Sequence, residues 1–136
     1  MLRMLFVIFS ILLLVNACSS GDQLTQLVGT EWNVTSLLGK SLNAAEITKG
    51  LPSLNFSDNG KLFGSTGCNS FTGSYKLDGT KLSLDPGAMT KMMCPDNTEQ
   101  GFLNAINQVT NIKQNGNTLD LLNGVKTVMS LIPKTK

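Results

Sequence analysis

The sequence predicts a mainly β (α+β) fold, either a small antiparallel β-barrel or a strongly curved sheet, with one packed helix. Four Asx-Gly pairs separate short stretches rich in β-branched and aromatic residues, and such pairs are the strongest short-range hairpin signal. A single segment instead has apolar residues at the spacing of a helix. Consecutive hairpins give an antiparallel meander, and the helix is expected to cover its open face or end.

The predicted strands follow one another from residue 30 to residue 132. In the first strand Trp32, Val34 and Ser36 share one side, as the two-residue period of a strand requires. The strands are expected at residues 30–38, 53–56, 61–64, 71–77, 80–84, 111–114, 118–122 and 125–132. The turns between them are supplied by Asn59-Gly60, Asp78-Gly79, Asn115-Gly116 and Asn123-Gly124. Residues 44–49 are predicted to form a short helical or irregular connection.

The predicted helix begins just after Pro95. Asp96 is placed to act as its N-cap, and Glu99 stands at the third helical position, a variant of the capping box. The apolar face is expected to consist of Phe102, Ile106 and Val109. Gly101 lies inside the helix, where glycine costs about 1 kcal/mol relative to alanine. The helix is therefore expected to depend on packing against the sheet.

The amino-terminal segment has the pattern of an export signal. Arg3 is the only charged side chain before an apolar run at residues 5–15, and that run is too short to span a bilayer as a helix. The sequence Val15-Asn16-Ala17-Cys18 is similar to the lipobox of bacterial lipoproteins, in which the cysteine becomes the lipidated first residue. We predict a signal peptide at residues 1–17, lipidation of Cys18, a tether up to residue 26 and one domain at residues 27–134.

Lipidation of Cys18 would anchor the protein in the bacterial cell envelope, because several acyl chains bind a membrane stably whereas one chain binds marginally. Ser19 after the cysteine favours the outer membrane, with the domain facing the periplasm. Removal of residues 1–17 from the 136-residue chain leaves 119 residues, with ten Lys, no Arg and nine acidic residues. This near-neutral balance argues against nucleic-acid binding, which needs a basic face. The size is that of one small domain, expected to be a monomer.

Histidine is absent from the chain, which removes Ser-His-Asp and Cys-His nucleophiles and most zinc sites. If Cys18 is lipidated, Cys68 and Cys94 are the remaining cysteines, and their spacing is not that of a Cys-x-x-Cys motif. In an oxidising compartment such a pair favours a structural disulfide, which stabilises a fold by about 3.5 kcal/mol in the chain-entropy model. A reactive thiol is the alternative, although no His or Arg stands near in sequence to favour the thiolate.

The glycines around Cys68 do not form a phosphate-binding loop, because Gly64-x-x-Gly67 lacks the Gly-Lys-Ser/Thr ending and a strand follows. They are expected at bulges and tight bends of strands. The segment MTKMMC, residues 89–94, has soft ligands that suit Cu(I), but methionines more commonly fill irregular gaps in a core. We predict packing in the core or beside the disulfide for these methionines, with no metal and no cofactor.

The stretches GTEWNVTSLLGK, GSTGCNSFTGSY and MTKMMC, followed by Glu99, resemble in order and spacing the META domain of HslJ-like heat-shock lipoproteins. The resemblance covers residues 25–133, which is nearly all of the mature chain. The family pattern falls on Trp32, Gly67, Cys68, Asn69, Phe71, Gly73, Tyr75, Thr90, Met92, Cys94 and Glu99.

The resemblance implies a small lipocalin-like barrel with one helix, and a role in the cell envelope linked to heat or drug stress. It implies no enzyme, because the family has no established catalytic residues. The expected partner is another envelope component, bound by a lipid-anchored protein. The alternative is a lipocalin-like carrier that holds a small apolar ligand inside the barrel.

Overall fold

A computed structural model of the protein describes residues 26–136. The predicted signal peptide, Cys18 and all but the last residue of the predicted tether lie outside the described residues. Within residues 26–136, no helix is both long enough and apolar enough to cross a bilayer.

Nine strands, a short 3-10 helix and an α-helix form the described part of the chain. Strands β1 to β9 are, in order, Glu31–Leu37, Lys40–Ser41, Ser53–Phe56, Lys61–Ser65, Ser70–Asp78, Lys81–Met89, Asn111–Asn115, Thr118–Asn123 and Lys126–Pro133. The 3-10 helix is Ala44–Glu46, between β2 and β3, and helix α1 is Thr98–Ile106, between β6 and β7. Each predicted strand has a counterpart in the structure. The four Asx-Gly pairs lie at the turns of the four hairpins for which they were predicted.

The sheet closes on itself through antiparallel pairs. β1 pairs with β3 on one edge and with β9 on the other, so β1 and the strands β3 to β9 form a closed ring. The short strand β2 is not part of the ring and pairs only with the end of β1. The weakest seam among the described strands lies between β6 and β7, whose register pairs only Lys81 with Asn111. The prediction of a mainly β fold with a curved antiparallel sheet and one packed helix is confirmed.

Strand β1 changes its inward face halfway along its length. Its pairing with β9 passes over Thr35, which forms a β-bulge. The extra residue shifts the two-residue alternation, so that Leu37 rather than Ser36 is buried in the core. The prediction that Ser36 shares one side of the strand with Trp32 and Val34 is therefore wrong.

Apolar side chains fill the interior of the ring. Leu27 is buried at one mouth, beside Leu77 and Leu119, around a cavity of only about 20 Å³. At the other end α1 packs onto the sheet, with the ring centres of Phe71 and Phe102 5.5 Å apart. The largest fully buried side chains are those of Phe56, Phe102, Leu27, Leu54, Leu62, Leu82, Ile106, Leu121, Met129, Leu131, Val34 and Val128.

Helix α1 begins without the predicted capping box. Asn97 occupies the N-cap position, and its side chain makes no capping bond. Asp96, the predicted N-cap, lies one residue earlier, and its carboxylate makes the bond expected of a capping side chain by accepting from the main-chain N–H of Thr98 at 2.9 Å. The predicted capping role of Glu99 is wrong, because its carboxylate points to the β4–β5 turn and accepts a hydrogen bond from Thr66.

Candidate functional site

The residues of the family pattern fall into two groups. One group belongs to the strands of the barrel. The other forms a polar corner at one end of the barrel, which contains the disulfide and consists of Gly67, Cys68, Asn69, Thr90, Met92, Cys94 and Glu99. In the barrel, the indole Nε1 of Trp32 donates to the carbonyl of Leu27 at 3.1 Å. The hydroxyl of Tyr75 donates to the carbonyl of Ser57 at 2.5 Å. Burial, and then the nearby negative charge of Asp58, raises the pKa of Tyr75. These two side chains are structural parts of the barrel.

Two glycines of the pattern lie where a side chain has no room. A Cβ on Gly73 would stand 1.9 Å from the carbonyl oxygen of Asp85, close to the register shift between β5 and β6. Gly67 has a φ of +92°, which L side chains rarely adopt, and a Cβ there would stand 3.0 Å from Ile47. The predicted placement of these glycines at bulges and tight bends is confirmed.

Cys68 and Cys94 form the predicted disulfide. Their sulfurs are 2.08 Å apart and their Cα atoms 5.9 Å apart, within the usual range for such a bond. The bond joins the turn between β4 and β5 to the segment that leads from β6 into α1. Because both sulfurs are in the bond, neither is a free thiol in this structure.

Asn69 is the centre of a hydrogen-bond network at this corner, and only 2% of the residue is exposed. Its Oδ1 accepts hydrogen bonds from the main-chain N–H of Met92 at 2.7 Å and from the hydroxyl of Thr90 at 2.9 Å. Its Nδ2 donates to the carbonyl of Met92 at 3.1 Å and to the carboxylate of Glu99 at 2.8 Å. The amide therefore uses two acceptor positions and two donor hydrogens, its full capacity.

Thr66 completes the network, and sequence reasoning missed it. Its hydroxyl donates to the carboxylate of Glu99 at 2.5 Å and accepts from the N–H of Asn69 at 2.9 Å. A threonine in a glycine-rich turn, three residues before an asparagine, is typical of a local bond from side chain to main chain, and this signal could have identified it. Glu99 is thus held by two residues of the β4–β5 turn.

Cys68, Cys94 and Glu99 bring potential metal-ligand atoms within 4.8 Å of one another. Thiolate is the form of cysteine that binds metals, whereas both sulfurs here are in a disulfide. The carboxylate already accepts two hydrogen bonds. This donor set does not fit a metal ion while the disulfide is intact.

The methionines after β6 do not pack in the core as predicted. Met92 is 46% exposed and Met93 is 96% exposed, whereas Met89 packs against the edge of the core. The reason is that the amide of Asn69 holds the main chain of Met92, which leaves the side chain on the outside. The Nζ of Lys49 lies 3.6 Å from the Sδ of Met92. Of the two predicted placements, packing in the core is wrong for Met92 and Met93, whereas their main chain does lie beside the disulfide, with the carbonyl oxygens 3.5 Å from the sulfur of Cys94 and 3.7 Å from that of Cys68.

A groove of about 580 Å³ opens beside this corner. The β1–β2 hairpin forms one wall, and the 3-10 helix and the start of α1 form the other. Leu37 and Ile47 give it an apolar floor, and both are buried. The groove is lined by Leu37, Leu38, Lys40, Ser41, Leu42, Asn43, Glu46, Ile47, Asp96, Asn97, Thr98 and Gly101.

The polar corner braces one wall of this groove. Thr48 donates from its main-chain N–H and its hydroxyl to the carboxylate of Asp96, at 3.3 and 2.9 Å. The N–H of Lys49 donates to the carbonyl of Gly67 at 3.2 Å, next to the disulfide. Hydrogen bonds from Thr98, and then from Thr48, lower the pKa of Asp96 to about 2. This carboxylate is therefore ionised at neutral pH.

Gly101 lies on the floor of the groove, within α1. A Cβ there would meet the Leu37 side chain at 3.7 Å, which is ordinary van der Waals contact. Packing therefore does not require glycine at this position, although glycine costs a helix about 1 kcal/mol. The effect of Gly101 is to leave the groove open above Leu37.

A second and more open groove, of about 760 Å³, follows the weak seam between β6 and β7. No residue of the family pattern lines either groove directly. The lining residues of this second groove are Lys76, Leu77, Asp78, Thr80, Lys81, Leu82, Ser83, Val109, Thr110, Asn111 and Gly124. The groove beside the disulfide is the better candidate for a functional site, because the patterned residues build its support.

The ring of antiparallel strands, the helix across one end and the disulfide corner define a small β-barrel domain. A profile of the META domain matches residues 25–136. The chain belongs to the META domain family, as the sequence motifs predicted.

Solved structures share this fold. A DUF4847 family protein from Bacteroides vulgatus is 18% identical, with a TM-score of 0.63 over 81% of this chain and 96% of that one. A protein from Burkholderia xenovorans, solved by NMR, is 26% identical, with a TM-score of 0.58 over 82% of this chain and 86% of that one. Another NMR structure is 25% identical, with a TM-score of 0.62 over 79% of this chain and 92% of that one. A comparison with curated proteins finds no match.

Proposed function

We propose that the protein is a lipid-anchored, non-enzymatic component of the bacterial cell envelope that supports tolerance of heat or drug stress. In this proposal Cys18 carries the lipid in the outer membrane, and the domain faces the periplasm as a monomer and binds another envelope component. The observation that carries the proposal is the set of hydrogen bonds formed by the buried side chain of Asn69. Its hydrogen bonds fix Met92 and Glu99, which flank in sequence the stretch Asp96–Thr98 that lines an open groove, and such support suits a rigid binding surface.

The groove has the chemistry of a surface that binds a protein segment. Its floor is apolar, while Lys40, Glu46 and Asp96 provide charges around it. Interfaces of this kind combine an apolar centre with a polar rim. The wall is held by a disulfide and by hydrogen bonds, so little ordering of the domain is needed when a partner binds.

Support for a non-enzymatic role comes from the polar groups at the corner, which are already engaged in hydrogen bonds or in the disulfide. The chain has no histidine, and the carboxylate of Glu99 is engaged by Thr66 and Asn69. A nucleophile needs an adjacent base, and the corner offers neither a free thiol nor an imidazole. We propose no metal and no cofactor for the same site.

The alternative function, carriage of a small apolar ligand inside the barrel, has less support. Ligand pockets commonly measure about 300–1,000 Å³, whereas the cavity beside Leu27 measures about 20 Å³. The interior is filled by large apolar side chains. A small apolar molecule would fit the outer groove better than the interior.

The test is to block the groove without disturbing the fold. Gly101→Leu places a side chain over Leu37, and Gln100→Leu is the matched control, because Gln100 is exposed on the same helix but does not line the groove. Each variant replaces the gene, and envelopes are crosslinked for capture of partners. We expect Gly101→Leu, and not Gln100→Leu, to lose the partner and to grow poorly after heat, detergent or antibiotic challenge.

Two results would contradict the proposal. One is a gene deletion with unchanged growth under all three challenges. The other is a partner captured equally well by Gly101→Leu and by the wild type, with unfolding curves that show both proteins to be folded. Labelling with radioactive palmitate, compared between the wild type and Cys18→Ser, tests the anchor separately.

A further inference from the structure

The chain is fixed to one mouth of the barrel from its first described residues. Leu27 is buried there, and its carbonyl accepts the hydrogen bond from Trp32. Gln26 lies against β7, where the side-chain amide of Gln114 donates to it. A membrane anchor that precedes residue 26 is therefore connected to the domain at this mouth.

The disulfide corner and the groove lie at the opposite end of the barrel. Strand β5 begins with Ser70, beside the corner, and reaches Leu77, which lines the small cavity with Leu27. A strand rises about 3.3 Å per residue, so these two residues are about 23 Å apart along the strand. Strand β1 gives the same direction, because it starts near the mouth and ends at the β1–β2 hairpin of the groove.

The connection from Cys18 to Gln26 spans eight residue steps in the sequence. A flexible chain of that length has a root-mean-square span of about 16 Å and reaches about 29 Å when fully extended. A lipid on Cys18 would therefore attach the mouth, and not the groove end, to the bilayer within this reach.

The mouth is also the more basic end of the domain. The charged residues around it are Lys61, Lys76, Lys81, Lys113, Lys134, Lys136, Glu31, Asp58, Asp78 and Asp120. Six lysines against four acids give a net charge of +2, which favours an anionic lipid surface. At the groove end Lys40, Lys49, Lys91 and Lys126 stand against Glu46, Asp96 and Glu99, a net charge of +1.

We propose that the mouth closed by Leu27 faces an anionic lipid surface, and that the disulfide corner and the groove face away from the membrane. This orientation rests on the proposed lipid anchor and adds what the anchor alone does not specify. It leaves the groove and the exposed side chains of Met92 and Met93 accessible to a periplasmic partner.

The test uses the full-length, lipidated protein on vesicles of phosphatidylethanolamine and phosphatidylglycerol. A single cysteine is introduced either at the mouth, as Asn117→Cys in the β7–β8 turn, or at the groove end, as Ser41→Cys in β2. Both positions are exposed, and the native pair at 68 and 94 is disulfide-bonded and does not react. Each variant carries a fluorescent donor, and energy transfer to an acceptor lipid in the outer leaflet is measured.

We expect clearly stronger energy transfer from position 117 than from position 41. Equal transfer, or stronger transfer from position 41, in protein that sediments with the vesicles would overturn the orientation and leave the proposed anchor intact. Failure of the wild-type protein to sediment with the vesicles would overturn both. A Cys18→Ser variant gives the background for sedimentation.

Discussion

The side-chain amide of Asn69 forms two hydrogen bonds with the main chain of Met92, as a neighbouring strand would. Its Oδ1 accepts from the N–H at 2.7 Å, and its Nδ2 donates to the carbonyl at 3.1 Å. The amide thus replaces a strand pairing just beyond the end of β6 and fixes the segment that carries Cys94. Because the same Nδ2 bonds Glu99, this side chain also ties α1 to the barrel.

Asn69→Asp should destabilise the domain by about 3 kcal/mol, because an ionised carboxylate cannot donate to Met92 and leaves buried groups unpaired. The change also places a second carboxylate where the amide now stands, 2.8 Å from the carboxylate of Glu99. The free energy of unfolding in urea measures the effect. The matched control is Asn59→Asp in an exposed turn, for which a change within about 0.5 kcal/mol is expected.

Glu99→Gln combined with Asn69→Asp should restore part of the lost stability. The swap returns one carboxylate and one amide to the pair, so the donor that the carboxylate at position 69 lacks is supplied from α1. A double-mutant cycle on the free energies of unfolding isolates this coupling, which should exceed about 1 kcal/mol. Strictly additive single and double variants would show that the two side chains do not interact as the structure describes.

Cys68→Ser combined with Cys94→Ser should lower the free energy of unfolding by about 3.5 kcal/mol, the chain-entropy value for a loop of this length. The fold should survive, because the hydrogen bonds of Asn69 hold the same two segments together. Circular dichroism and urea unfolding measure the two effects. In the unreduced wild-type domain, labelling of free thiols should find none at positions 68 and 94, and labelling of both would contradict the bond.

Local chemistry explains what the sequence predicted well. The turns of the four hairpins depend on Asx-Gly pairs, whose conformational preference acts within two residues. The disulfide could be predicted because Cys68 and Cys94 are the two cysteines that remain if Cys18 is lipidated, and because the predicted export signal leads to an oxidising compartment. These features need little knowledge of distant parts of the chain.

The features that sequence reasoning missed depend on distant contacts. Leu37 replaces Ser36 in the core because a bulge in β1 arises from pairing with β9, more than ninety residues away in the sequence. Glu99 does not cap the helix because its carboxylate accepts hydrogen bonds from Thr66 and Asn69 across the fold. The outward position of Met92 follows from the same network. Hydrophobic periodicity and local propensity do not indicate these contacts, because the contacts join residues that are far apart in the sequence.

Gly101→Ala should raise the free energy of unfolding by about 1 kcal/mol. Alanine is the better helix former by about that amount, and its Cβ would meet Leu37 at an ordinary 3.7 Å. Urea unfolding measures the gain, and Gly73→Ala is the opposite control, because a Cβ there would lie 1.9 Å from the Asp85 carbonyl oxygen and should be strongly destabilising. A loss of stability in Gly101→Ala would mean that the groove is narrower than described.

Asp96→Asn should change how stability depends on pH between about pH 4 and pH 2. Hydrogen bonds from Thr98 and then Thr48 lower the pKa of Asp96 from 3.8 to about 2 in the folded protein. A lowered folded-state pKa contributes stability that is fully present above the unfolded value and is lost as pH falls towards the folded value. The free energy of unfolding of the wild type should therefore fall more steeply than that of Asp96→Asn across this window.

The difference between the two proteins should be largest above pH 4 and should be lost below about pH 2, where the wild-type carboxyl is also protonated. Urea unfolding at a series of pH values measures it, and Asp78→Asn in the exposed β5–β6 turn serves as the control for a simple change of net charge. Parallel curves for the wild type and Asp96→Asn would show that the carboxylate gains nothing from Thr98 and Thr48. The wall of the groove beside Asp96 would then be held without that charge.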